Sequence, residues 1–356
     1  MKTLFGCCLI HLCIGSIYAL SVLYTPVVNL TGWDISTLIY GFALTILALG
    51  LTASFHQRLF PQASKKLALN NAILLWTISN SLLIIAANRG NELIYYAISI
   101  ILGFAIGLLY VIPINIITEY GYEKVGRANG LVVCCFGMGS ILASKIFSSV
   151  PLDNLIFIYV AYGVIMFVAV QLLPSTTITS STVFSHDKKW YMIAGIFFLN
   201  IGIGISLLSN LAQLSITQGG VPMDFAILIV ACAGVANSVG RIFYSSLSDY
   251  FDRLDTLNIL LFVQFFSLIT MWLWDMWTVP VLVIISIYGG VFSIMPSLMK
   301  ELYKDTTAYS HVLSMWGFAG LICPIVFNQL GMPILILMSS LALVLMGTIQ
   351  KMSVNK

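Results

Sequence analysis

Two groups of polar side chains stand in the stretch VANSVGRIFYSSLSDYFDR, Val235 to Arg253, of a chain that is otherwise built from apolar runs. The first is Asn237 with Arg241, one helical turn apart, and the second is Asp249, Asp252, Arg253 and Asp255. A guanidinium is planar and always charged, and it grips a carboxylate with two parallel N–H bonds. Carboxylates and guanidinium groups at helix ends pair with one another and with the partial charges of helix termini. Arg241 is therefore a candidate seat for an anion, and Asp249 with Arg253 a candidate latch that holds one face of the protein closed. Each reading has a plainer alternative. Arg241 could snorkel toward the charged end of its helix, and the charges there could form an ordinary solvated loop.

Depth separates these readings. Arg241 precedes Asp249 by eight residues, which is about 12 Å along a helix, in a bilayer whose hydrocarbon core is about 30 Å thick. A lone guanidinium near the middle costs at least a few kcal/mol, so Arg241 must face a cavity or a partner. The acids Asp34, Glu119, Asp275 and Glu301 all sit near the ends of apolar runs. The mid-membrane charge is a natural seat for a substrate carboxylate, with snorkelling toward the latch as the alternative.

The elements that position these groups follow from composition. Hydrophobic residues make up 60% of the 356 residues and charged residues 8%, far below the quarter or so typical of soluble domains. The solvent of such a chain is largely lipid. An apolar run of roughly 20 residues spans a bilayer, and runs of that kind fall near 4–28, 35–56, 67–88, 92–118, 128–148, 154–173, 190–216, 223–248, 257–274, 279–299, 309–330 and 332–350. The expected fold is an all-α membrane protein of twelve spans. The Ser/Thr-rich segment PSTTITSSTVFSHDKK, 174–189, reads as a linker between a first bundle at 1–173 and a second at 190–356. With twelve spans, Lys2, Arg58, Lys65, Lys66, Lys124, Arg127, Lys188, Lys189, Arg253, Lys300, Lys304, Lys351 and Lys356 share one side. Arg89 alone lies in a loop on the other, and Lys145 and Arg241 lie inside spans. The positive-inside rule makes the basic side cytoplasmic, with both termini there. The run from Leu4 is too long for a signal-peptide core of about 7–15 residues, so an uncleaved first span is expected. Lys145, near the outer end of the fifth span, is expected to snorkel, the alternative being a second cavity charge that would suit a dicarboxylate.

The halves echo each other. GLLYVIPINIITEY and GVFSIMPSLMKELY, in the fourth and tenth spans, share a glycine, a proline and a tyrosine at matching places: Gly107, Pro113 and Tyr120 against Gly290, Pro296 and Tyr303. This is the pattern of a parallel repeat. The prolines and neighbouring glycines read as sites of bending and close helix contact. Tyr18, Tyr110 and Tyr288 lie mid-span, where a hydroxyl needs a partner. They read either as cavity lining or as ordinary packing. The seven cysteines read as small buried hydrophobes. His311 reads as a solvated residue at a helix end, and His11 as a packed neutral one. A net charge of +3 and the lack of a basic run do not suggest a nucleic-acid partner, and none is expected. No nucleotide-binding loop or hydrolytic motif occurs, so no cofactor, metal or enzymatic activity is expected.

GRIFYSSLSDYFDR resembles the G-R-x-x-x-G-x-x-S-D-R-x-G-R signature that joins helices eight and nine in the major facilitator superfamily. GCCLIHLCIGSIYALSVLYTPVV and GLLYVIPINIITEYGYEKVGRANGLVVCCFGMGS are similar to segments of its oxalate/formate antiporter family, whose relatives include the monocarboxylate porters. The first-half copy of the signature, SFHQRLFPQASKKLA, keeps basic residues but has no aspartate. The resemblance implies two six-helix bundles that rock about a central site, with Arg241 binding the substrate carboxylate and Tyr18, Tyr110 and Tyr288 boxing it. Departures narrow the substrate. Trp316, a further candidate for lining the cavity, stands where the oxalate transporters carry a lysine, so one cation suits one carboxylate and a monocarboxylate is favoured over oxalate. Asn237 stands where proton-coupled monocarboxylate porters carry an aspartate, and the first span holds His11 but no lysine. Both changes favour exchange or uniport over proton symport. The expected partners are a small-molecule anion and the lipid bilayer, and the expected setting is a monomer in a cell membrane, of the bacterial inner type. A carrier of a neutral or amphipathic solute, and a non-transporting sensor or scaffold, are the alternatives.

Overall fold

The computed structural model describes residues 1–88, 90–178, 186–274 and 277–354. Arg89, Asp275 and the middle of the 174–189 linker lie outside the described residues. The first span is α1 (Lys2–Ile14), a 3-10 stretch (Gly15–Leu23) and α2 (Tyr24–Thr31). There follow α3 (Ile35–Leu59), α4 (Lys65–Asn88), α5 (Glu92–Glu119), α6 (Val125–Ser149), α7 (Leu155–Gln171), α8 (Lys188–Thr217), α9 (Met223–Leu247), α10 (Arg253–Trp274) and α11 (Thr278–Tyr303). The chain ends with α12 (Thr306–Val312), α13 (Ser314–Leu330) and α14 (Met332–Val354). Twelve helical segments among the described residues are long and apolar enough to cross a membrane, and each coincides with one of the expected spans. Polar caps punctuate them. Asp34, Asn91, Asp187 and Asp305 accept hydrogen bonds from backbone amides in the first turns of α3, α5, α8 and α12, which replaces partners those amides lack inside the helix. Hydrogen bonds from Ser36, through its side chain first and its backbone second, hold the exposed Asp34 carboxyl below the usual carboxylate range. This cap is intact above the ordinary carboxylate pKa and is lost as the pH falls through the lowered value.

Two compact units result: Met1–Gly121 with Cys135–Val183, and Tyr122–Cys134 with Phe184–Lys356. Helix α6 contributes its first part to the second unit and the rest to the first. In the first unit α3 packs along α5. The pairing is close because Gly103 and Gly107 have no side chain: a Cβ there would lie 2.2 Å from the Thr45 carbonyl oxygen and 2.6 Å from that of Leu49. The loop that lacks the signature aspartate is clamped by the start of the linker. Lys65 N–H donates to Thr176 O at 2.9 Å and Ile178 N–H to Ala63 O at 2.8 Å. Lys65, buried at the start of α4, pairs with Glu119 at the end of α5.

In the second unit α9 and α11 form the corresponding pair. A Cβ on Gly240 would lie 2.1 Å from Ser286 O, and one on Gly289 would lie 2.2 Å from Asn237 O. Small-residue contacts of this kind let membrane helices approach to backbone distance. Gly289→Ala pushes on backbone atoms that cannot swing away, so we expect a loss of about 1–3 kcal/mol. Gly347, with open space around it, tolerates alanine. Thermal unfolding in detergent should show a lowered midpoint for Gly289→Ala and an unchanged or slightly raised one for Gly347→Ala.

Candidate functional site

Arg241 is the centre of the second unit's polar interior. Its residue is 2% exposed. The guanidinium Nε donates to Asn237 Oδ1 at 2.9 Å and Nη1 to the backbone carbonyl of Val133 on α6 at 2.7 Å. Its carbon lies 5.6 Å from the ring centroid of Phe292, within the range of a cation–π contact. Asn237 is held in turn, its Nδ2 donating to Ile285 O at 3.4 Å. The pair works because the residues are four apart on one helix face. Both acceptors are uncharged, so they orient the cation and satisfy N–H groups without cancelling its charge.

Phe292 collects the aromatic neighbours. Tyr288 meets it edge-to-face at 5.7 Å and Trp316 at 4.9 Å, and Phe197 lies at 5.1 Å. Tyr288 and Trp316 are each 1% exposed. Arg241, Asn237, Tyr288 and Trp316, all expected site residues, thus share one cluster. Trp316 follows a break in the eleventh span between α12 and α13, where its amide donates to Leu313 O at 3.1 Å. Tyr18 and Tyr110 belong to the first unit. Tyr18 lies in the 3-10 stretch and meets Phe136 edge-to-face at 5.2 Å; Tyr110 meets Phe136 at 5.5 Å and His11 at 5.1 Å. The four expected aromatics and the cation are therefore organised as two clusters, one around Phe136 and one around Phe292.

Sequence reasoning missed Phe136, Phe292 and Val133. Phe292 had a signal, its one-turn spacing from Tyr288. The Val133 carbonyl had none, because backbone acceptors carry no residue signature. His311 is not solvated. It is 6% exposed, and its Nδ1 lies 2.9 Å from Nε2 of His186, since the linker end folds back onto α12. His11 is buried, with Nδ1 3.2 Å from Cys7 O. Cys232 is exposed on α9, unlike the buried Cys7, Cys13, Cys134 and Cys323. Lys145 is exposed on α6. Among the described residues no three His, Cys, Asp or Glu side chains gather as a metal site would require.

The charged end of α9 has a defined geometry. Asp249 Oδ1 accepts from Gly126 N–H at 2.9 Å and Oδ2 from Arg127 N–H at 2.8 Å. Arg253 Nη2 lies 3.0 Å from Asp249 Oδ1, and its Nη1 bonds Glu301. A carboxylate at the N-terminus of α6 satisfies orphan amides and meets the positive end of the helix dipole. Asp252 instead caps α10, accepting from Leu254 and Asp255 amides at 2.8 and 3.0 Å.

No family model matches the sequence, and no curated protein matches it. Solved structures do match. The transporter FucP, solved in its outward conformation, superposes with a TM-score of 0.77 at 15% identity over 99% of each chain. The chain has the major facilitator fold. Human MFSD10 (TETRAN), an organic anion transporter, matches with a TM-score of 0.74 at 12% identity over 98% of this chain and 99% of its own. The proton:xylose symporter XylE matches with a TM-score of 0.73 at 13% identity, over 98% and 95%. Within this fold, the Asp249 contacts join the fifth and eighth spans.

The Asp249 side chain is 3% exposed and that of Glu301 48%. Asp249→Asn should therefore cost about 1–3 kcal/mol, by leaving buried donors poorly matched. Glu301→Gln should cost under about 1 kcal/mol. Thermal unfolding of the two variants in detergent checks the order.

Proposed function

We propose that the chain is a secondary transporter that carries a small organic anion, a monocarboxylate, by alternating access in a cell membrane, with both termini cytoplasmic. The observation that carries this reading is Arg241: a buried guanidinium whose Nε and Nη1 are held by neutral oxygens, over the face of Phe292. These two bonds set the plane of the guanidinium, which is what a carboxylate docking by charge-assisted hydrogen bonds requires. Tyr288 and Trp316 supply the apolar wall that shields such a contact from water. Tyr18 and Tyr110 supply the corresponding wall in the first unit, and Asn237 orients the cation. A tryptophan in place of a second cation leaves one charge for one carboxylate. Asp249 and Arg253 act as the latch on the basic side, where a carboxylate gripping the first turn of α6 must let go if that side is to open.

A neutral, sugar-like solute is the second reading. Its support is that two N–H groups of Arg241 already serve the protein, and that the fold is shared with symporters of fucose and xylose.

The test is uptake of labelled formate, acetate, lactate, pyruvate, oxalate, fucose and xylose into proteoliposomes, empty or preloaded. Monocarboxylate flux should fall at least about tenfold in Arg241→Gln, the loss of one charge-assisted contact of ~1.5–3 kcal/mol, while the variant remains folded. A need for preloading identifies exchange. Sugar flux without anion flux, or normal anion flux in the variant, replaces the first reading.

A further inference from the structure

An open groove of about 550 Å³ lies where the start of α6 meets the end of α9, with Lys124, Arg127, Val239, Phe243, Ser246 and Tyr250 among its lining. We propose that this groove docks one anionic phospholipid, with the headgroup phosphate between Lys124 and Arg127 and an acyl chain along α9.

Charge is the first argument. Lys124 Nζ is bonded to the Tyr250 hydroxyl and lies 4.4 Å from that ring's centroid, so the ammonium is fixed at the groove wall. Arg127 is exposed. Asp249 also lines the groove, but its oxygens are taken by the Gly126 and Arg127 amides and by Arg253, and its side chain is 3% exposed. The charge that a ligand meets in the groove is therefore positive. Apolar exposure is the second. Val235, Val239 and Phe243 are spaced four apart, so they share one face of α9, and they are 52%, 58% and 58% exposed. This stripe runs from the basic pair into the span. A free phosphate would use the cations and ignore the stripe; a phospholipid uses both. Zwitterionic phosphatidylcholine brings a cation that the two basic residues repel, whereas phosphatidylglycerol does not. The bound lipid ties down Arg127, whose own amide Asp249 holds, and so it braces the α6–α9 contact. This inference does not depend on what the protein carries.

Native mass spectrometry of the purified protein in detergent, titrated with phosphatidylglycerol or phosphatidylcholine, tests it. Each basic residue beside an anionic headgroup is worth about fivefold in affinity (~1 kcal/mol). Phosphatidylglycerol should bind at least about tenfold better and raise the thermal midpoint. Lys124→Gln/Arg127→Gln should bind both lipids alike and show no rise, while Lys188→Gln/Lys189→Gln, with the same charge removed elsewhere, should behave as wild type. If the double variant does not fold, the two single variants serve, each losing about fivefold. Equal binding of the two lipids by wild type, a preference retained in the variants, or an equal stabilisation by inorganic phosphate alone would each overturn the proposal.

Discussion

A guanidinium inside an apolar helix keeps its charge at any working pH, so the surrounding protein must supply acceptors for its N–H groups. The second unit is arranged around that constraint at Arg241. Asn237 supplies one acceptor from the same helix. The Val133 carbonyl supplies another from α6, and it reaches because Gly130 has no side chain: a Cβ there would lie 2.6 Å from Arg241 O and closer still to Ser245 Oγ. Gly289 lets α11 lie against the backbone of Asn237, which brings Phe292 under the cation and Tyr288 and Trp316 around Phe292. Helices α6, α9 and α11 thus each contribute to the surroundings of one charge.

The two charged features of α9 are handled in opposite ways. Asp249, at the helix end, is matched by charge: two amides at the positive end of α6, and Arg253. Arg241, in mid-span, gives Nε to the amide oxygen of Asn237 and Nη1 to the Val133 carbonyl, and both acceptors are dipoles. The first case produces a closed, self-sufficient contact that stabilises one arrangement of helices. The second produces an oriented cation.

The first unit shows what happens where the repeat has diverged. Its signature loop has no aspartate, and the clamp there is made instead by backbone hydrogen bonds to the linker and by the Lys65–Glu119 pair. Its aromatic cluster is built around Phe136 with His11, not around a cation. The α3–α5 and α9–α11 pairs still share close glycine contacts. The repeat therefore persists in the packing of its helices more than in its charges.

Twelve spans were legible because a bilayer demands long apolar runs, and that demand is written locally in composition. The Asn237–Arg241 contact was legible because helical spacing alone places the two side chains on one face. The grouping of Tyr288 and Trp316 with Arg241 was expected from the resemblance. The breaks in the first and eleventh spans, at Gly15–Leu23 and at Leu313, left no mark in hydropathy, because a 3-10 turn is as apolar as an α-turn. The burial of His311 against His186 escaped because it depends on where the linker returns. The sequence by itself determined the membrane class, the helices, and the face on which Arg241 sits. Only the tertiary structure decided that a carbonyl of α6 and the ring of Phe292 complete its surroundings, because those partners are brought in by close packing between helices far apart in the chain.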